Sequence, residues 1–133
     1  MKKVRGYVFS RSFMGENAPQ QVQNMAIRDY CDKNDLIYFL SSVEYAMEDC
    51  FYSLHGTIDN LKDLDGIVFY SLLQMPTDFD VRKKIYDKIF KNNITIYFAI
   101  ESMRISSAQD IYPVENILNV RICLQDKSNY WFF

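Results

Sequence analysis

Glycine and proline are scarce in this sequence, with four and three residues respectively among 133. There is no GxGxxG, GxxxxGK(S/T) or GxSxG string, so a glycine loop wrapped around phosphates and a nucleophile elbow are both excluded. Nothing calls for a bound cofactor. Histidine is scarcer still: His55 stands alone beside Gly56. Cys31, Cys50 and Cys123 contain no Cys-x-x-Cys pair, so no metal-ligand spacing exists and no metal is expected. An odd number of distant cysteines reads as buried free thiols in a reducing compartment. No run approaches the ~20 apolar residues of a membrane span. The Met1-Lys2-Lys3 start lacks the apolar stretch of a signal, which Arg5, Gly6 and Arg11 interrupt. The expectation is a cytoplasmic protein without a membrane partner. Positive charge is not in excess either. Lys plus Arg number 15 against 17 Asp plus Glu, a net charge of −2, where coating a nucleic acid takes a basic face. That balance predicts no nucleic-acid partner. Repeats, low-complexity tracts and linkers are absent.

What is abundant is core material. Hydrophobic residues make up 49%, with 10 Tyr and 10 Phe, and a chain of this length fits one α/β domain over residues 1–133. Four apolar runs read as strands: Lys3 to Phe9, Leu36 to Leu40, Gly66 to Tyr70 and Ile94 to Ile100. Three are continuous rather than alternating, as strands covered on both faces are. Helical spacing fills the gaps. One helix follows Pro19 with Val22, Met25, Ala26 and Tyr30; a second spans Cys50 to Leu61; a third starts from a Thr77 cap and ends at Asn92-Asn93; a fourth lies near Val114 to Leu124. Alternation of this kind implies right-handed crossovers and a parallel sheet of about four strands in a three-layer sandwich. The apolar end of residues 125–133, closing on Tyr130-Trp131-Phe132-Phe133, is expected to pack on the body or on a partner subunit. With 16% aromatics in so small a body, it supports a homo-oligomer, most simply a dimer.

Ligands of open parallel sheets bind beyond the carboxyl ends of the strands. Each strand here hands over to polar residues at that edge: Ser10, Arg11 and Ser12; Ser41, Ser42, Glu44 and Tyr45; Ser71 and Gln74; Glu101, Ser102 and Arg104. Gln21, Asn24 and Arg28 share one face of the first helix and either line the same cleft or face solvent. The serines serve equally as turn and cap residues. Arg11 suits anion binding or an ordinary surface position. Glu44 and Glu101 suit acid–base work or structural pairing.

Two family resemblances follow from particular strings. Gly6-Tyr7 at the end of a charged first strand, the helix after Pro19 and the Leu64-Asp65-Gly66-Ile67-Val68 lead-in resemble the catalytic domain of serine recombinases over about residues 3–105. That resemblance implies a resolvase-like, flavodoxin-like sheet. Its catalytic arginine and nucleophilic serine, however, fall on Phe9 and Arg11, and its arginine-rich stretch falls on Tyr70 to Pro76. DNA cleavage by that mechanism is therefore excluded. A second resemblance covers nearly the whole chain. Arg5-Gly6-Tyr7, Ser10-Arg11, Ile27 to Cys31, Glu44 to Met47 and Tyr70-Ser71-Leu72 look like sporadic carbohydrate cluster proteins of bacterial surface-polysaccharide gene clusters. It implies a setting in surface-glycan assembly and no particular reaction. Together these expectations describe an accessory enzyme acting on a sugar phosphate or nucleotide sugar. Arg11 and Arg28 would grip the anion beside Ser10, Gln21 and Asn24, Glu44 or Glu101 would be acid or base, and Tyr45 and Ser71 hydroxyl partners. The alternatives are a non-catalytic interaction subunit of a glycan pathway and a recombinase-like domain repurposed without DNA cleavage.

Overall fold

The apolar runs become the middle of a sheet. The computed structural model describes residues 1–60 and 63–128. Its elements are β1 (Lys2–Phe9), α1 (Gln20–Lys33), β2 (Leu36–Glu44), α2 (Tyr52–Asp59), β3 (Gly66–Phe69), α3 (Phe79–Lys91), β4 (Thr95–Phe98), β5 (Met103–Ile105) and α4 (Ile111–Ser128). Single 3-10 turns at Leu72–Gln74 and Ala108–Asp110 precede α3 and α4. The strand order is β2-β1-β3-β4-β5. The first four strands are mutually parallel, as their continuous apolar character implies, and β5 pairs antiparallel with β4. Among the described residues the sheet thus has five strands, where about four were expected.

Helices cover both faces. Ile27 and Cys31 of α1 pack on Val4, Val8, Val68 and Tyr97. On the other face Tyr7, Phe9, Ile67, Phe69, Ile96 and Phe98 meet Leu54 and Ile58 of α2, Ile85 and Ile89 of α3, and Val114 and Leu118 of α4. Each such side chain contributes about 1.5–3 kcal/mol when fully buried. The α1 stripe differs from the expected one, because Val22 and Met25 are exposed while Gln23, Ile27 and Cys31 are buried. Of the three free thiols only Cys31 is buried, and burial pushes it up to about 11; Cys123 is exposed. Asp78 rather than Thr77 caps α3, its Oδ1 accepting from the Asp80 amide at 2.8 Å. That frees the Pro76 and Thr77 carbonyls to accept from Arg82, whose Nε and Nη2 grip Glu115 at 2.8 and 2.9 Å. Tyr86 also donates to Glu115, at 2.6 Å. This buried cluster ties α3 to α4. The second-helix stripe was expected to end on Leu61, and the aromatic end was expected at 130–133; both lie outside the described residues.

Candidate functional site

The chain leaves β1 toward β2 on one side, and β3 lies on the other, so the topology reverses between β1 and β3. That is where doubly wound sheets open a crevice for ligands. In this protein the crevice is filled from within. The β1–β3 ladder ends at Tyr7 paired with Phe69, leaving the Phe9 amide and carbonyl without a strand partner on that side. The Gln23 side chain takes the partner's place: Oε1 accepts from the Phe9 amide and Nε2 donates to the Phe9 carbonyl, each at 2.9 Å. Nε2 also donates to the Ala18 carbonyl at 2.8 Å. Gln74 continues the chain, donating to Gln23 Oε1 at 2.8 Å and accepting from the Ser71 amide at 3.3 Å. Both amides are wholly buried.

The loop that crosses this edge is a tight reversal. Phe13 and Glu16 exchange both backbone hydrogen bonds, with Met14 and Gly15 at φ 48° and 77°. Two successive positive φ values are those of a type I′ turn, which suits glycine at Gly15 and is unusual for Met14. Gly6 has a different role. A Cβ there would strike the Ser41 hydroxyl, and it is opposite this point that β2 carries one extra residue, the register passing from Arg5–Phe39 to Tyr7–Ser42.

The carboxylates at the edge are equally committed. Glu44, expected in a loop, is the last residue of β2 and is 1% exposed. Its Oε1 accepts from the Tyr7 hydroxyl at 2.8 Å and the Leu54 amide at 3.0 Å; its Oε2 accepts from the amides of Ser53 at 2.9 Å and Tyr45 at 3.1 Å. Glu44 therefore satisfies the amides of the first turn of α2, where a negative charge is favoured. Burial, then the neighbouring Glu44, push the Tyr7 phenol far above its ordinary value and keep it a donor. Glu101 does the same for the turn after β3, accepting from the Ser71 hydroxyl at 2.7 Å and the Leu72 amide at 2.9 Å. Ser71 also caps that turn, its Oγ accepting from the Leu73 amide at 3.1 Å. Among the described residues no buried side-chain nitrogen or oxygen lacks a partner.

The other expected site residues do not share one cavity. Arg11 lies over the rings of Phe9 and Phe51, 4.2 and 5.1 Å from their centroids, and donates to the Tyr45 carbonyl at 2.7 Å. It lines a 450 Å³ hollow with Phe13 and Met75, with the acidic Glu48 and Asp49 in its wall. Ser71 and Glu101 border a separate 270 Å³ hollow with Tyr70. Tyr45 stacks with Tyr52 at 5.9 Å over a third hollow beside β2. Glu44 lines none of the three. Ser10 donates to the Glu44 carbonyl at 2.9 Å. Arg28 is exposed, 5.3 Å from the Tyr38 ring, and Gln21 is exposed on α1. Asn24 accepts from Ser41 at 2.6 Å, which fixes α1 to β2. The expected convergence of Arg11, Arg28, Glu44, Tyr45, Ser71 and Glu101 on one cavity is not found. Sequence reasoning passed over Gln23 as a site residue, although it shares the i, i+4, i+8 stripe with Ile27 and Cys31, where a polar residue needs a buried partner.

With this geometry in place, the fold can be assigned. It is the α/β fold of serine recombinase (resolvase) catalytic domains. The chain is similar to the N-terminal catalytic domain of TP901-1 integrase, with a TM-score of 0.55 and 16% identity over 97% of this chain and 99% of that one. It is similar also to a resolvase family site-specific recombinase from Streptococcus pneumoniae, with a TM-score of 0.61 and 10% identity over 95% of each chain. No protein-family model matches the chain, and no curated protein matches it in sequence. One expectation is corrected here. A sugar phosphate or nucleotide sugar as ligand, with nucleic acid excluded, does not stand against neighbours that are an integrase and a site-specific recombinase. The exclusion rested on net charge, which describes the whole chain and not any one face of it. No helix among the described residues is long and apolar enough to cross a membrane.

Proposed function

We propose that this protein is a recombinase-like domain repurposed without DNA strand cleavage, a non-catalytic module. The observation that carries this reading is the placement of Arg11. Where the resemblance puts a nucleophilic serine, a guanidinium lies on two aromatic rings and is bonded to a backbone carbonyl. The catalytic arginine's place is taken by Phe9, a core residue. Strand exchange by a serine recombinase needs a hydroxyl to attack a phosphodiester, and the Ser10 hydroxyl beside Arg11 is engaged with the Glu44 carbonyl. Carboxylates bound to four and two protein donors are poorly placed to receive a substrate proton.

The strings resembling sporadic carbohydrate cluster proteins favour a particular setting for such a module: a non-catalytic interaction subunit in surface-glycan assembly. The test of the main reading is incubation of the purified chain with supercoiled plasmid, followed by denaturing electrophoresis. We expect neither nicked plasmid nor protein covalently attached to DNA. A covalent adduct that appears with the wild-type chain would overturn the proposal.

A further inference from the structure

The two edges of the sheet are built differently. β5 is three residues long and carries Arg104, the short and charged form in which natural edges avoid pairing. β2 is nine residues long, with β1 on one side and no strand among the described residues on the other. From Leu36 to Val43 it contains no charge and no proline. Its side chains are left uncovered: Leu40 is 75% exposed, and Ile37, Phe39 and Val43 are exposed as well. The extra residue in β2 falls at Leu40-Ser41, beside the most exposed side chain. Tyr45 and Tyr52, also exposed, stand beside the strand over an open groove of 480 Å³ that Arg5, Thr57 and Asn60 also line.

We propose that a second copy of this chain covers the β2 edge, the two β2 strands meeting antiparallel about a two-fold axis close to Leu40. Three features favour a copy of the chain over a foreign partner. Leu40 is the most exposed apolar side chain of the strand, so a two-fold beside it sets Leu40 against its own copy, apolar against apolar. The strand is uncharged through Val43 and Glu44 turns inward, so the two β2 strands place no like charges directly opposite one another. The exposed area also suffices: three aromatic and three aliphatic side chains present on the order of 800 Å², the share that each partner of a standard interface buries. This interface stands whether or not the domain retains a catalytic role.

The test is light scattering on the full chain from about 1 to 100 µM, a range that brackets micromolar dissociation constants. The wild type is expected at twice its chain mass of 15.8 kDa. Leu40→Lys should weaken association at least about 100-fold, since it buries a charge at the axis, and Val43→Lys should do so at an independent edge position. Met25→Lys, at an exposed site on α1, should leave the dimer intact. Circular dichroism of each variant verifies folding. A wild type that stays at one chain mass at 100 µM overturns the proposal, whatever else then covers the edge. So does a folded Leu40→Lys or Val43→Lys chain that remains dimeric.

Discussion

The carboxyl edge of the sheet and the outer edge of β2 are treated in opposite ways. At the first, polar side chains are numerous and the buried ones are bound to the protein itself: Gln23 and Gln74 bridge the ends of β1 and β3, Glu44 serves α2, and Glu101 serves the turn after β3. At the second, apolar side chains are exposed, and nothing among the described residues covers them. A cluster of polar residues at a strand-end crevice thus marks a functional site only if some of its hydrogen-bonding capacity remains unspent. Here that capacity is spent on closing the crevice, and the unsatisfied surface is the apolar one. The same polar strings that resemble two families therefore specify architecture as readily as chemistry.

The largest effect that sharpens this comparison comes from a benchmark away from both edges. Arg82, 1% exposed, is bonded to Glu115 and to two carbonyls. Arg82→Leu should cost about 3–5 kcal/mol in urea unfolding, because Glu115 keeps its charge in the interior with Tyr86 alone. Adding Glu115→Leu should recover most of that loss. A smaller effect concerns His55 at the rim of α2. Burial, and then the Lys88 ammonium 3.2 Å from Nδ1, hold its pKa below the ordinary 6.5. The unfolded chain then binds more protons than the folded one, so the contribution is complete above pH 6.5 and is lost as pH falls toward the folded value. Thermal midpoints measured from pH 7.5 down to about 5 should decline, and His55→Gln should flatten that part of the profile. An unchanged slope in the variant would assign the decline to other groups.

Much of the architecture was legible because it rests on burial. Ile67, Val68 and Phe69, or Ile96 to Phe98, are apolar without alternation because helices cover both faces. β5 left no such mark: Met103-Arg104-Ile105 is too short for periodicity and exists through its pairing with β4. In the sequence the apolar run ends at Leu40, because Ser41 and Ser42 resemble a loop. In the fold their hydroxyls meet Asn24 and Thr57, so two serines continue the strand. The site was legible only as a list of positions. Ser10, Arg11, Ser71 and Glu101 do reach the carboxyl edge, but whether a carboxylate faces a cavity or a helix amide depends on how α2 and the 3-10 turn approach it. No local pattern in the sequence encodes that approach. Gln23 illustrates the converse: its partners are a strand end 14 residues away and an amide 51 residues away.

The central claim is that the polar residues of the carboxyl edge hold the fold together. Equilibrium unfolding of Glu44→Gln tests it most directly. The substitution keeps size and shape but sets an amide NH2 against backbone N–H donors that now meet a carboxylate oxygen. If Glu44 is the anchor of α2, stability should fall by about 2–4 kcal/mol, since charge-assisted bonds are lost and buried donors are left unmatched. A Glu44→Gln chain as stable as the wild type, or more stable, would contradict the account, because that is how a residue kept for chemistry at the expense of stability behaves.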